Sequence, residues 1–90
     1  MYYVYILECD KAFFYVGLTN DLEKRVVQHQ SKHSPHTRRY SEVALVYNES
    51  FSRRIDAEKR EKQLKGWSRA KKKALINHDF KNLVILSSSK

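Results

Sequence analysis

The sequence predicts one α+β domain with its elements in the order β-β-α-β-α-α. Three observations predict it. Two neighbouring runs at the start, Tyr2–Cys9 and Phe13–Leu18, are almost continuously apolar, aromatic and β-branched, which is the pattern of strands covered on both faces. Helical spacing with capping residues follows in Thr19–Gln30 and again beyond Ser50. The chain has 90 residues, 41% of them apolar and 12% aromatic, enough for one core and too few for two.

Taken in order, Asp10-Lys11 marks a turn between the first two strands, so they form a hairpin. A turn centred on Asp10 pairs Tyr5 with Tyr15 and Tyr3 with Gly17. The side-chain period of two then puts Tyr3, Tyr5, Tyr15 and Gly17 on one face. Asn20 is expected to cap the first helix, with Glu23 completing a capping box. Leu22 and Val26 make its apolar stripe, with Arg25 and His29 one turn apart at its edge. The helix fades near Ser31. Lys32–Glu42, with the only proline, reads as a loop. Val43–Tyr47 is a third strand. Ser50 or Ser52 can cap a second helix that runs to Lys65 and stops at Gly66, with Trp67 packing back. Ser68 caps a third helix, Arg69–Ile76, which Asn77-His78-Asp79 ends. Residues 1–83 form the domain. Residues 84–90 are a C-terminal tail, whose apolar start (Leu83–Leu86) adds an edge strand or packs on the core and whose Ser-Ser-Ser-Lys end frays.

Composition narrows the partners. The formal net charge is +8, from 18 Lys and Arg against 10 Asp and Glu, so a polyanion is the expected ligand and nucleic acid the leading one. Arg53–Lys73 alone holds ten Lys or Arg against three acids, a candidate track along a phosphate backbone or simply a solvated pair of helices. No apolar run approaches the ~20 residues of a membrane span, and no segment pairs a basic face with a wide apolar one, so no membrane partner is expected. A single cysteine, Cys9, cannot form an internal disulfide and fits a reducing compartment, the cytoplasm.

Few residues are candidates for chemistry. Glu61 lies between Ala57 and Leu64 on the inward side of the second helix, where a carboxylate must be paired with a base or bind a cation. Arg25 can take a phosphate bidentately and His29 can share a proton. Taken alone, an arginine there is usually a snorkelling surface residue and a lone histidine more often a satisfied core residue than a catalyst. Tyr5 and Tyr15 differ from the core-filling Tyr2, Tyr3, Tyr40 and Tyr47 because their face also meets Arg25. A phenol has a reference pKa of ~10 and needs nearby cations before it serves as a base. His33 and His36 form an HxxH pair without the further ligands a zinc site needs.

These residues resemble a known family. Tyr3-Val4-Tyr5 and Tyr15-Val16-Gly17 are similar to the two halves of the GIY-YIG nuclease signature, with Tyr3 in place of its first glycine. Leu22–His29 resembles the family's helix with its arginine and the histidine four later. Ala57–Trp67 resembles the segment with its metal-binding glutamate, and Asn77 stands where a late asparagine occurs. The resemblance covers residues 2–83 and is to the small single-domain bacterial members. It implies a three-stranded antiparallel sheet flanked by three helices and a monomeric DNA endonuclease. The cofactor implied is one divalent metal, Mg²⁺ or Mn²⁺, on Glu61, with no small-molecule cofactor. Tyr5 or Tyr15 would be the general base, Arg25 the phosphate ligand and His29 a proton relay, with Gly17 and Asn77 in support. DNA, including branched or single-stranded forms, would lie against Arg38, Arg39, Arg60, Lys65, Arg69, Lys71 and Lys72. The alternative is a basic nucleic-acid-binding module on the same fold with little or no catalysis.

Overall fold

The computed structural model describes residues 1–88. Strands β1 (Tyr2–Cys9), β2 (Phe13–Thr19) and β3 (Val43–Phe51) form one antiparallel sheet in the order β2-β1-β3. Helix α1 (Leu22–Gln30) links β2 to β3, and α2 (Arg54–Lys65), α3 (Arg69–Ile76) and α4 (Phe80–Ser88) follow. The α+β class and the three strands are as expected.

Central strand β1 explains the near-continuous apolar run. Val4 and Ile6 point to one side, against Val16, Ala57, Leu64 and Leu75. Tyr5, Leu7 and Cys9 point to the other, with Tyr15, Leu22, Tyr40 and Leu45 packed around them. Each face is covered, so alternation in polarity disappears.

The hairpin register differs from the expected one. Asp10 and Lys11 both adopt left-handed φ, 52° and 56°, as the tight primed turns of hairpins require. The Ala12 N–H bonds to the Cys9 carbonyl at 3.1 Å. The turn is therefore centred on Lys11, and Tyr5 pairs with Gly17, Tyr3 with Thr19 and Leu7 with Tyr15. A shift of two keeps every side chain on its face, so the shared face survives.

Other boundaries also moved. Asp21, not Asn20, caps α1, its Oδ1 accepting the Lys24 N–H at 3.1 Å. Strand β3 runs on to Phe51, paired with Tyr2, and a bulge opposite Ile6 and Leu7 sets Val46 and Tyr47 on the same side. Neither Ser50 nor Ser52 caps α2; its N-cap is Arg53, without a side-chain bond. The Leu83–Leu86 tail is not an edge strand but part of a fourth helix. Asp79 starts that helix, accepting the Asn82 N–H at 3.2 Å after His78 turns through φ 56°, and Leu83 packs on the core. The expected fraying end extends beyond residue 88, outside the described residues.

One polar network ties α2 to β3. Arg60 grips Glu49 through Nε and Nη2, both at 2.9 Å, and the Tyr47 hydroxyl donates to the same carboxylate. The Arg60 guanidinium also lies over Trp67, 5.2 Å from the ring centre. Arg60, an expected phosphate contact, is thus engaged within the protein.

Candidate active site

The face that carries Tyr5, Tyr15 and Gly17 meets α1 and the loop after it, and five side chains there form a connected chain. His29 is the one buried residue of α1, 1% exposed. Its Nε2 lies 3.0 Å from the Tyr5 hydroxyl and its Nδ1 lies 2.6 Å from Thr37 Oγ1. Tyr15 stands beside it, ring centres 5.3 Å apart, and His36 stacks on Tyr15 at 5.6 Å. A histidine with both ring nitrogens bonded is fixed in rotation, and because both partners are hydroxyls that donate or accept, either neutral tautomer is satisfied.

Gly17 makes this arrangement possible. The Tyr5 ring lies across it so closely that a Cβ on residue 17 would sit 2.3 Å from Tyr5 Cζ and Oη. The second glycine of the signature is therefore the floor under a tyrosine. Tyr3, where the signature has its first glycine, pairs with Thr19.

Charge converges on the same place. Burial and the neighbouring Tyr15 push the Tyr5 hydroxyl far above its ordinary value; Arg25 opposes them and Glu61 adds to them. Tyr15 is also raised by burial, but Lys65 and Arg25 pull it back. Burial, with Arg25 and His36, holds His29 below its usual range. Arg25 is half-buried and shares with Arg54, Thr19 and Asn20 a polar cleft of about 190 Å³. The wider groove of about 570 Å³ between α1 and β3 is lined by Tyr3, Leu22, Val26 and Leu45 with Asp21 and Glu23 and no cation, so it does not suit a polyanion.

Glu61 is half-buried, its side chain 22% exposed, with Lys65 Nζ 3.3 Å away. Its charge reaches both tyrosines. Among the described residues no three His, Cys, Asp or Glu side chains group to hold a metal by themselves. The donor set fits a cation bound by one carboxylate and completed by water and substrate phosphate, the way Mg²⁺ is commonly held.

Tyr5, Tyr15, Gly17 and His29 thus come together, and the charges of Arg25 and Glu61 reach both tyrosines. Asn77 does not join them: it closes α3, its N–H on the Lys73 carbonyl at 3.0 Å, and its exposed side chain makes no bond to the cluster. Among the expected phosphate contacts, Arg38 and Arg39 are exposed on the loop, Arg69 and Lys72 flank Phe13, and Lys71 covers Trp67 at 4.4 Å. Two members escaped sequence reasoning. Thr37 is 0% exposed but sits in a loop without periodicity. His36 was visible only as half of an HxxH pair.

Neutral His29 makes the fold acid-sensitive. Its folded pKa is depressed below the unfolded one, so the unfolded chain takes up the proton first as pH falls. The contribution is complete above the ordinary value of about 6.5 and is lost as pH falls through the lower, folded value. Melting temperatures across pH 5–8 should therefore fall on the acid side, and His29→Gln should flatten that slope.

Residues 1–74 match the GIY-YIG catalytic domain family, and the chain belongs to that family. Within it, the chain is similar to small UPF0213 proteins. It is 38% identical to one from Halobacterium salinarum, over 84% of this chain and 100% of that one. It is 40% identical to one from Bacillus pumilus, over 83% and 78%. The solution structure of a UPF0213 protein from Bacillus halodurans matches with a TM-score of 0.56 and 37% identity, covering 86% of this chain and 84% of that one. No helix among the described residues is long and apolar enough to cross a membrane.

Proposed function

We propose that the protein hydrolyses phosphodiester bonds of DNA at the Tyr15–His29–Arg25–Glu61 cluster. The observation that carries this reading is the bonded chain Tyr5–His29–Thr37 beside a half-exposed tyrosine, whose hydroxyl feels the charges of Arg25 and Glu61. Phosphodiester hydrolysis builds negative charge on the non-bridging oxygens, and fixed cationic donors are the largest expected contribution. Arg25 supplies one, in a cleft it shares with Arg54.

The structure favours a division between the tyrosines. Tyr5 is 1% exposed, with its hydroxyl on His29; it positions the histidine. Tyr15 is half-exposed and carries the two cationic neighbours that make a phenolate easier to form. Tyr15 is therefore the tyrosine that meets the attacking water. Its phenolate takes the water proton as the water oxygen bonds to phosphorus, the P–O ester bond breaks, and the leaving alkoxide takes a proton from solvent. The phenol's own proton goes to solvent, because both His29 nitrogens are bonded to Tyr5 and Thr37; His29 orients the tyrosine ring beside it. Glu61 would hold one Mg²⁺ or Mn²⁺. Such a cation supplies Lewis-acid polarisation of the phosphoryl oxygens and offsets the carboxylate charge that raises both tyrosines.

A second reading rests on the Glu61–Lys65 pair at 3.3 Å, which satisfies the carboxylate without a metal. It makes the domain a basic nucleic-acid-binding module with little catalysis. Incubating the protein with supercoiled, single-stranded and branched DNA, with and without Mg²⁺ or Mn²⁺, separates the two. Cleavage that needs the metal and disappears in Glu61→Ala is the expected result. Binding without cleavage of any substrate favours the module, and cleavage unchanged in Glu61→Ala points to a contaminating nuclease.

A further inference from the structure

The β2 edge carries a second group of residues that the cluster does not use. Phe13 lies two residues before Tyr15, on the same face, and is 57% exposed, unusual for a ring that could be buried. Tyr40 from the loop stands beside it, ring centres 5.6 Å apart and tilted by 40°. Arg39 lies over the Tyr40 ring at 5.0 Å and donates from Nη2 to the Tyr40 hydroxyl at 2.9 Å. On its other side Phe13 borders a cleft of about 160 Å³ that also takes in Ala12, Phe14, Arg69 and Lys72. Arg69 itself lies over the Phe14 ring at 5.1 Å.

We propose that Phe13, with Tyr40 and Arg39, is a stacking platform for an unstacked nucleobase next to the cleaved bond, and that Arg69 and Lys72 hold its phosphate. This inference rests on the nucleic-acid reading of the neighbouring site. An open aromatic face between cations is the surface on which proteins stack bases without reading sequence. Strand geometry adds a constraint. Residues two apart on a strand are separated by about 7 Å, twice the ~3.4 Å rise of a stacked nucleic-acid strand. Consecutive nucleotides placed at Tyr15 and Phe13 are therefore pulled out of their stack. The exposed edge position of β2 leaves room for this path.

The test is binding of a labelled single-stranded oligonucleotide and of its duplex, measured by anisotropy in EDTA so that cleavage plays no part. Phe13→Leu keeps an apolar side chain against Tyr40 and removes the ring; it should weaken single-strand binding about tenfold and leave duplex binding nearly unchanged. Phe13→Trp should bind the single strand at least as tightly as the parent. Melting curves identify any variant that has lost its fold. Equal single-strand affinity for Phe13→Leu and the parent would overturn the platform and leave the hydrolytic site untouched. A parent protein that binds neither oligonucleotide would overturn both.

Discussion

Replacing Arg25 by alanine lowers the single-turnover rate of DNA cleavage by about 10²–10³-fold, the scale of losing one fixed donor to developing charge. Affinity for the uncleaved DNA changes by no more than about threefold, because one phosphate contact among many contributes little to binding at moderate salt. The rate loss has two sources. The guanidinium no longer meets the phosphoryl oxygens. Its charge also no longer lowers Tyr15, Tyr5 and His29, so the phenols become harder to ionise and the histidine easier to protonate. The acid limb of the pH–rate profile should then move to higher pH in Arg25→Ala. Arg25→Lys restores the charge but not the planar pair of donors and should recover only part of the rate. Equal losses of binding and rate in Arg25→Ala would mark the residue as a general DNA contact.

Gly17→Ala removes activity by a different route. A methyl group 2.3 Å from Tyr5 Cζ and Oη cannot be accommodated without moving the ring. That ring is buried and held by His29. Overpacking of this kind costs about 1–3 kcal/mol, which lowers the melting temperature of a domain this size by roughly 4–24 °C. The displaced Tyr5 releases His29, so cleavage falls even in the fraction that remains folded. Gly66→Ala is the control. Gly66 has φ −82° and the nearest atom to an added Cβ is 3.5 Å away, so this change is tolerated and stabilises by a few tenths of a kcal/mol. Calorimetry with a cleavage assay on the folded protein separates the two glycines. A Gly17→Ala protein with parental stability and rate would show that the Tyr5–Gly17 contact is unimportant.

The strands were legible because both faces of β1 are covered, which leaves an apolar run that no loop would carry. The shared face of Tyr5, Tyr15 and Gly17 was legible too, because a slip of two residues does not change parity. The register itself was not, since it depends on left-handed turns at Asp10 and Lys11, where neither residue is the glycine or asparagine that marks such turns. Helix α4 was missed because four consecutive apolar residues, Leu83–Leu86, fit a strand as well as a helix. Its cap, Asp79, looked like the end of α3. At the site, Arg25, His29 and Glu61 stood out by helical spacing against apolar neighbours. Thr37 did not, because a loop has no period and a lone threonine no signature. Its burial against His29 exists only once the loop folds over α1.

The most direct test is the single-turnover cleavage rate of parent and Tyr15→Phe between pH 6 and 9. A phenolate base whose pKa is raised by burial gives a parent rate that climbs about tenfold per pH unit across this range. Tyr15→Phe keeps the ring between His29 and His36 but loses the climb, with a rate at least about 100-fold lower at pH 8. A Tyr15→Phe protein that cleaves at the parental rate with the same pH profile would contradict the account.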